Sequence, residues 1–283
     1  MTRKEFEPKV SIVTGAASGI GRAIAAELVA RGSHVVVADL DAAGAVRVAA
    51  ELGPLASAAT LDVADAAAVT ALVRRVVDEH GRLDVMVNNA GVAIGGLLEE
   101  LDERHWAKAL DVNLRGVVNG VTAAYEVMRR QGSGHILNTA SLAGLIPAPA
   151  MLPYTTTKHA VVGLSTALRA EAAGQGVGVS VLCPAFVDTP LLDDVYAAPA
   201  SLGGSSVRAR VRLMQPRILT AEHVARRAVD GIAANKAVIP VGFLAHVSWR
   251  LLRYAPPVAH GVVRAQASAH RRLNERVARR ATR

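Results

Sequence analysis

Short apolar runs alternate along this chain with longer segments whose apolar residues recur every three or four positions. Runs rich in β-branched residues and bounded by glycine or polar residues predict buried strands, and the longer spacing predicts helices. The predicted strands cover residues 10–14, 34–38, 83–87, 135–139, 177–182 and 237–241. The predicted helices cover residues 19–31, 65–80, 103–131, 154–173 and 221–235. Strands that alternate with helices indicate an α/β fold with a Rossmann-type, doubly wound parallel sheet.

The composition agrees with a single globular domain followed by a basic extension. The chain has 283 residues, of which 51% are hydrophobic and 20% charged, which is enough for a sizeable core. Its net charge is +8, and residues 241–283 alone hold nine arginines and one glutamate, so residues 1–240 are close to neutral. A neutral body with 3% aromatic residues argues against nucleic-acid binding. We therefore divide the chain into a domain of residues 1–240 and a basic helical C-terminal extension of residues 241–283.

Apolar residues also recur at helical spacing in the extension, with arginines beside them. Residues 243–255 and 258–281 predict two amphipathic helices, separated by Pro256 and Pro257. Their apolar stripes are Leu244, Val247, Leu251 and Tyr254 in the first helix and Val258, Val262, Ala265, Ala269, Leu273 and Val277 in the second. Such helices pack on a neighbouring subunit, roof a pocket, or lie on an anionic membrane surface. The sequence leaves these alternatives open.

The cysteine content and the beginning of the chain favour a reducing compartment. Cys183 is the only cysteine, which excludes an internal disulfide framework. The first ten residues, MTRKEFEPKV, are too charged for a signal peptide, and no stretch reaches the roughly 18 apolar residues of a spanning helix. Histidine and cysteine spacings match no metal site, so no catalytic metal is predicted. We expect a cytoplasmic protein, with peripheral membrane contact through the extension as an alternative.

A glycine-rich turn follows the first predicted strand. The sequence TGAASGIG, residues 14–21, runs from that strand straight into a helix. Glycines allow a sharp turn and let backbone N–H groups approach a diphosphate, while the helix N-terminus adds partial positive charge. This context predicts a dinucleotide site, with a plain tight turn as the alternative. The candidate residues of the site are Gly15, Ser18, Gly19, Ile20 and Gly21.

Asp39 ends the second predicted strand, 24 residues after Gly15. A carboxylate at this place accepts hydrogen bonds from both adenosine ribose hydroxyls and repels a 2′-phosphate. No lysine or arginine lies between Gly15 and Gly21, and Leu40 follows Asp39. The sequence therefore favours NAD over NADP as the cofactor. In the alternative interpretation, Asp39 only caps the following turn.

Tyr154 and Lys158 lie four residues apart in a predicted helix and therefore share one face of it. Tyrosine has an ordinary pKa of about 10, so it acts as a base near neutral pH only if its phenolate is stabilised. The Lys158 ammonium and the positive charge of an oxidised nicotinamide ring would lower that pKa. Ser141, 13 residues upstream of Tyr154, could donate a hydrogen bond to a substrate oxygen. His159 points about 100° away from Lys158 and is expected to be structural.

Taken together, these motifs resemble the short-chain dehydrogenase/reductase family over residues 8 to about 240. The resemblance rests on TGAASGIG, Asp39, Asp62-Val63, Asn88-Asn89-Ala90-Gly91, Asn113, Ser141, Tyr154-x-x-x-Lys158 and Pro184. It implies a catalytic tetrad of Asn113, Ser141, Tyr154 and Lys158. It also implies cofactor contacts from Asp62 and Val63 at the adenine, from Asn89, Ala90 and Gly91 on the adenosine side, and from Pro184, Val187 and Thr189 near the nicotinamide.

The resemblance also implies a role for each member of the tetrad. Tyr154 would be the proton donor or acceptor, and Ser141 would polarise the substrate oxygen. Lys158 would lower the tyrosine pKa and hold the nicotinamide ribose. Asn113 would anchor a water molecule in a proton relay.

Two further expectations follow from the comparison with the family. Pro184-Ala185 stands where Pro-Gly is usual, and alanine disfavours a positive φ there. Family members often form dimers or tetramers through two long helices, which correspond here to residues 103–131 and 154–173. A homo-oligomer is therefore expected.

The residues expected to face the substrate are nearly all apolar: Leu142, Ala143, Leu145, Met151, Leu152, Phe186, Leu191 and Leu192. We therefore expect an NAD-dependent oxidoreductase that interconverts a secondary alcohol and a ketone on an apolar substrate. The alternatives are an NADP-dependent 3-oxoacyl-type reductase and a non-catalytic, dinucleotide-sensing binding protein. Residues 191–217 predict a mobile loop over the site. Its Arg208, Arg210 and Arg212 form either a solvated face or a site for an anionic handle.

Overall fold

The computed structural model describes residues 6–193, 196–197, 211–212, 215 and 217–281, with side chains as far as residue 268 apart from residues 196–197. The strands are β1 (Val10–Thr14), β2 (His34–Asp39), β3 (Ala56–Thr60), β4 (Val85–Asn88), β5 (Ile94–Gly95), β6 (Gly134–Thr139), β7 (Val177–Pro184), β8 (Tyr196–Ala197) and β9 (Val238–Val241). The helices are α1 (Gly19–Ala30), α2 (Ala42–Leu52), α3 (Ala66–His80), α4 (Glu103–Ala109), α5 (Gly116–Gln131), α6 (Leu152–Glu171), α7 (Ala221–Ala233), α8 (Phe243–Tyr254) and α9 (Pro256–Ala281). A π-helical turn, Leu110–Arg115, joins α4 to α5.

Seven strands form one sheet in the order β3-β2-β1-β4-β6-β7-β9, and every pairing in it is parallel. The strand order reverses between β1 and β4, where β1 pairs with β4 through Ile12 opposite Met86. In an open parallel sheet, ligands bind beyond the carboxyl ends of the strands at such a reversal. The predicted α/β Rossmann-type fold is confirmed, and its binding edge lies beyond Thr14 and Asn88.

Helices cover both faces of this sheet. On one face, α1, α2 and α7 bury Ile24, Val48 and Val224 against the strands. On the other face, α3, α5 and α6 bury residues such as Val117 and Val161. Strands buried on both faces read as continuous apolar runs, which explains why most of them could be found in the sequence.

Strand β3 and helix α2 were missed by the sequence prediction. β3 has the sequence ASAAT, lies at the sheet edge and is only partly buried, so it lacks the β-branched run that marks the central strands. Helix α2 begins after Asp41, whose carboxylate accepts a hydrogen bond from the Gly44 N–H at 3.0 Å. Its alanine-rich sequence has few large apolar residues to show a helical period. The long helix predicted over 103–131 is divided by the π-helical turn.

Both helices predicted in the extension are present as α8 and α9, and α8 packs on the body of the domain. Ala245 is fully buried, and it forms a small apolar cluster with Leu142 and Ala185, with Leu244 beside them. Within the described residues, the structure contains no helix long and apolar enough to span a membrane. Helix α8 therefore lies beside residues predicted to face the substrate, as expected if it walls a pocket.

The buried His135 links β6 through Ser180 of β7 to Lys236, which precedes β9. The Ser180 hydroxyl donates to the Lys236 carbonyl at 2.5 Å, so it accepts from His135 Nε2 at 2.8 Å. This network requires a proton on Nε2. Burial, with a smaller effect from the charge of Arg169, lowers the pKa of His135 to about 3.

This histidine makes stability depend on pH. A histidine in the unfolded chain binds a proton below pH of about 6.5, whereas buried His135 stays neutral down to pH about 3. We expect this group alone to reduce the free energy of unfolding by about 1.4 kcal/mol per pH unit over that window as pH falls. Urea unfolding of the wild type and of His135→Gln at several pH values measures the effect. Equal slopes in the two proteins would show that His135 is not the cause.

Candidate active site

The glycine turn lies at the strand reversal and is closely packed against the segment after β4. Gly15 has φ of +64°, and a Cβ added there would lie 2.7 Å from the Ala90 Cα. A Cβ added at Gly21 would overlap the Gly15 carbonyl oxygen and lie 2.5 Å from Asn89 Nδ2. Only glycine fits either position, because the obstructing atoms include backbone atoms. Glycine is thus required at both positions by the packing of the turn on its own residues and on the segment after β4.

Thr14 and Asn89 join the turn to β4. The Thr14 hydroxyl donates to the Val87 carbonyl at 3.2 Å and accepts from the Asn89 and Ala90 N–H groups at 2.9 and 3.1 Å. Asn89 Nδ2 donates to the carbonyls of Thr14 and Gly15 at 3.0 and 3.2 Å. Asn89 and Ala90, both predicted site residues, are therefore held against the glycine turn. Thr14, which the sequence did not single out, is the centre of this network.

Asp39 connects the end of β2 to the same turn. One carboxylate oxygen accepts from the Ala17 N–H at 2.9 Å, and the other accepts from the Asp41 N–H at 3.0 Å. The second bond is the turn cap that the sequence left as an alternative. The first bond was not predicted, and it places the half-buried carboxylate at the glycine turn.

The remaining predicted cofactor residues surround the start of α1. Ser18 precedes α1, is exposed and makes no cap hydrogen bond through its side chain. Gly19 faces Thr189, whose side chain would lie 3.2 Å from an added Cβ. The other members lie along the same carboxyl edge: Ile20, Gly91 and Asp62 at least partly accessible, and Val63, Pro184 and Val187 buried.

Tyr154 and Lys158 lie one turn apart near the start of α6. The Lys158 ammonium donates to the Thr139 carbonyl at 2.9 Å and lies 5.6 Å from the centre of the Tyr154 ring. Lys158 is 3% exposed. Burial lowers its pKa to about 8, so the lysine loses part of its charge at alkaline pH.

The surroundings of Tyr154 correct one expectation from the sequence. Burial raises the pKa of Tyr154, and a hydrogen bond with the Ser141 side chain opposes this increase without cancelling it. The predicted lowering of the tyrosine pKa by Lys158 is therefore not a property of the chain alone. The Ser141 side chain therefore lies close enough to Tyr154 to influence its phenol, and its role toward a substrate oxygen stays a prediction.

Asn113 lies fully buried in the π-helical turn, and its amide is already engaged. Its Oδ1 accepts from the Val92 N–H at 2.8 Å, and its Nδ2 donates to the Val92 carbonyl at 2.9 Å and to Thr157 Oγ1 at 3.4 Å. The π-helical turn was not predicted, and no sequence signal indicated it. Through Thr157, Asn113 connects this turn to the helix that carries Tyr154 and Lys158.

Cys183 of β7 lies beneath the site, although its sequence context gave no signal for this. Its thiol lies close enough to the Ser141 backbone and to the Lys158 ammonium for both to oppose the effect of burial on its pKa. Burial raises the pKa of Cys183 to about 12. The thiol therefore stays neutral and adds no charge beside Tyr154.

The predicted substrate residues are all apolar and differ in burial. Leu142, Ala143 and Leu145 are buried, and Met151, Phe186, Leu191 and Leu192 are half-buried, while Leu152 is exposed. Ala185 has no positive φ, because Ala150 and Asn235 are the only non-glycine residues with one in the described part of the chain. The Pro-Ala departure is thus accommodated. Within the predicted loop, Arg208 and Arg210 lie outside the described residues, and Arg212 is exposed.

Gln215 closes the base of this loop and was not predicted. Its side chain accepts from the Phe186 N–H at 3.2 Å and donates to the Phe186 carbonyl at 2.8 Å. Val187 forms a β-bridge with Leu219 directly beside it. His159, by contrast, is exposed, and its Nδ1 lies 3.0 Å from the Thr155 carbonyl of its own helix.

The strand reversal, the glycine turn and the Ser–Tyr–Lys group at one edge of the sheet define a nucleotide-dependent oxidoreductase. The sequence model of the short chain dehydrogenases matches residues 9–200. The chain therefore belongs to the short-chain dehydrogenase/reductase family. NAD(P) is the typical cofactor of this family, whose members commonly form oligomers.

Similar proteins include both bacterial and animal enzymes. A short-chain dehydrogenase/reductase from Burkholderia phymatum, crystallised with NAD, has a TM-score of 0.79 and 35% identity, covering 90% of this chain and 96% of that one. Human 15-hydroxyprostaglandin dehydrogenase [NAD(+)] is 39% identical over 197 residues, 66% of this chain and 71% of that protein. The probable oxidoreductase EphD of Mycobacterium tuberculosis is 34% identical over 272 residues, 93% of this chain. The chain spans 46% of the length of EphD.

Proposed function

We propose that this protein is an NAD-dependent oxidoreductase that interconverts a secondary alcohol and a ketone on an apolar substrate. The observation that carries the proposal is the Lys158 ammonium 5.6 Å from the centre of the Tyr154 ring, with the Ser141 side chain close enough to Tyr154 to oppose the rise of its pKa. Two hydroxyl groups that converge in a buried site can both bind one substrate oxygen. One of them can also exchange a proton with it.

The glycine turn and its surroundings fit a dinucleotide. The glycine turn, with the exposed Ser18 hydroxyl and the N-terminus of α1, suits a diphosphate. The Asp39 carboxylate suits the adenosine ribose, and Asp62 and Val63 would flank the adenine. When bound, NAD supplies the hydride acceptor for alcohol oxidation, or in its reduced form the hydride donor. Pro184, Val187 and Thr189 would lie on the nicotinamide side.

The proton steps fall to residues of this chain. Ser141 would hold the substrate oxygen, and Tyr154 would take its proton during oxidation or return one during reduction. Because burial raises the pKa of Tyr154, the phenol stays protonated at neutral pH. It therefore carries the proton that reduction of a ketone requires. Oxidation requires added positive charge near the ring, which Lys158 and the oxidised nicotinamide would provide together.

We infer a positioning role for Asn113. Its Nδ2 donates to Val92 and Thr157, and its Oδ1 accepts from the Val92 N–H. Both amide hydrogens are thus used, and a relay water could be held by main-chain groups of the π-helical turn. Asn113 would keep that turn aligned with α6.

The preference for NAD rests on Asp39. Its carboxylate is fixed by the Ala17 N–H, so it cannot move away from a 2′-phosphate without breaking that bond. We expect tighter binding of NADH than of NADPH in a fluorescence titration. In Asp39→Ala, the ratio of the two dissociation constants should shift toward NADPH by about tenfold.

Asp41→Ala is the matched control for this titration, because Asp41 is acidic and adjacent but its side chain binds Gly44 instead. Its NADH preference should equal that of the wild type. Clearly tighter NADPH binding by the wild type would overturn the preference for NAD and favour the NADP-dependent 3-oxoacyl-type reductase.

The proposal of an apolar substrate is supported by the apolar side chains expected to face it: Leu142, Ala143, Met151, Phe186, Leu191 and Leu192. Production of NADH from a panel of steroid, aliphatic, cyclic and acyl-thioester alcohols tests this part of the proposal. Activity confined to small polar alcohols would contradict it. Binding of NADH with no turnover of any alcohol or ketone would instead favour the non-catalytic dinucleotide sensor.

We also propose a homo-oligomer formed through the long helices. Leu110 in the π-helical turn and Val118 in α5 are 38% and 40% exposed, and Leu152 at the start of α6 is 38% exposed. Such residues are available to a second copy. The cytoplasmic location stays a proposal from the sequence.

A further inference from the structure

Helix α8 is covered by the domain on one side. Ala245 is fully buried beside Leu142, and Leu244 and Trp249 pack against the apolar clusters of the body. These contacts anchor the helix and determine its rotation about its own axis. The opposite side of α8 is consequently fixed toward solvent.

That opposite side carries a second apolar stripe. Phe243, Val247 and Tyr254 follow one another at four and seven residues, so about 100° per residue places them within a narrow sector of the helix. They are 86%, 43% and 79% exposed, in that order. Arg250 is also exposed and lies in the same sector. An aromatic stripe facing solvent has no function in the packing of this domain.

Helix α9 also has a buried residue and exposed apolar residues among the side chains that the structure describes. Ala259 is 7% exposed on one side, whereas Val258 and Val262 are 57% and 49% exposed. The two valines are four residues apart and share a face. Arg264 is also exposed, but it lies on another side of the helix. Two consecutive helices therefore expose apolar side chains to solvent.

The positive charge of the extension distinguishes between two kinds of partner for this surface, a second copy of the chain and an anionic membrane. Residues 241–283 contain nine arginines and one glutamate. A second copy would bring the same positive charge, so pairing two of these surfaces is opposed by repulsion. Exposed aromatic and aliphatic residues flanked by arginine suit the boundary between headgroups and acyl chains of an anionic membrane.

We propose that the outer faces of α8 and α9 form a docking surface for an anionic phospholipid membrane. The surface consists of Phe243, Val247, Arg250, Tyr254, Val258 and Val262. The protein would lie on the membrane, with the side chains of this surface at headgroup depth. If the proposed function is correct, α8 would also place the apolar residues expected to face the substrate near the lipid, but docking itself does not depend on that function.

Vesicle flotation tests the proposal with the full chain. We expect the protein to float with vesicles of phosphatidylcholine that contain about one third phosphatidylglycerol, and not with phosphatidylcholine alone. Binding should weaken as salt is raised. In Phe243→Ser/Tyr254→Ser, which keeps every charge, partitioning should fall about tenfold or more.

Val46→Ser is the matched control, because Val46 of α2 is 61% exposed and lies outside this surface. It should float like the wild type. The double variant replaces exposed side chains only, so its thermal unfolding should match that of the wild type. If the double variant unfolds at a lower temperature, flotation is measured with Tyr254→Ser alone.

Several outcomes would overturn the proposal. Absence of flotation with anionic vesicles at low salt is one, and undiminished flotation of the double variant, which would indicate charge attraction alone, is another. A smaller molar mass of the double variant in light scattering, without vesicle binding by the wild type, would identify a subunit interface. Binding of duplex DNA in place of vesicles would identify a nucleic-acid surface.

Discussion

Replacing Tyr154 by phenylalanine is expected to reduce kcat about a thousandfold while leaving NADH binding nearly unchanged. The change removes one hydroxyl from a site where the Ser141 side chain influences the phenol and the Lys158 ammonium lies 5.6 Å from the ring centre. Loss of a general acid–base group typically costs about 10²–10⁴ in rate. The ring that packs in the site remains, so the fold and the dinucleotide cradle are preserved. The measurement is kcat with the best alcohol from the substrate panel, together with an NADH titration.

Tyr125→Phe provides the control for this experiment. Tyr125 lies in α5, packs against the core and is not a member of the tetrad, so loss of its hydroxyl should leave kcat within about twofold of the wild type. Full turnover by Tyr154→Phe would remove the proposed mechanism, because no other phenol belongs to the tetrad. Loss of both turnover and NADH binding would indicate a structural effect instead.

Gly21→Ala is expected to weaken NADH binding about a hundredfold and to destabilise the fold by about 1–3 kcal/mol. The new methyl group would overlap the Gly15 carbonyl oxygen and lie 2.5 Å from Asn89 Nδ2. Neither atom can yield freely, because Asn89 also holds the Thr14 carbonyl. The N-terminus of α1 would move away from the diphosphate position. Fluorescence titration with NADH and thermal unfolding measure the two effects.

Gly163→Ala separates this clash from the general effect of replacing a glycine in a helix. A Cβ at Gly163, on the exposed side of α6, meets no atom within 4 Å. Its NADH affinity should be unchanged, and its stability should rise by up to about 1 kcal/mol because alanine favours helix. A wild-type dissociation constant in Gly21→Ala would show that the turn does not bind the dinucleotide.

The elements that the sequence predicted and those that it missed differ in one physical respect. Strands β1, β2, β4, β6 and β7 are buried, and their apolar runs are readable without any knowledge of their neighbours. Strand β3 at the sheet edge is partly buried and consists of alanine, serine and threonine, whereas β9 at the opposite edge keeps an apolar run and was predicted. The small residues of β3 therefore gave no signal.

The same distinction applies to the candidate site. The spacing of Tyr154 and Lys158 and the glycine pattern are local, so the order of residues along the chain is enough to predict both. Cys183 beneath Ser141 and the clamp of Gln215 on Phe186 join residues 29 or more positions apart, and neither has a local pattern. The engagement of Asn113 by Val92 likewise depends on a π-helical turn that no residue type indicates.

By itself, the sequence determined the alternation of strands and helices, the glycine turn and the residue types of the tetrad, because each depends on spacing within a few residues. Only the tertiary structure decided that Asp39 binds the Ala17 N–H, that burial raises the pKa of Tyr154, and that α8 exposes an aromatic stripe. Burial and long-range contacts result from the packing of all the elements together. A hydrophobic pattern therefore predicts that a residue is apolar and helical, but not whether the fold covers it.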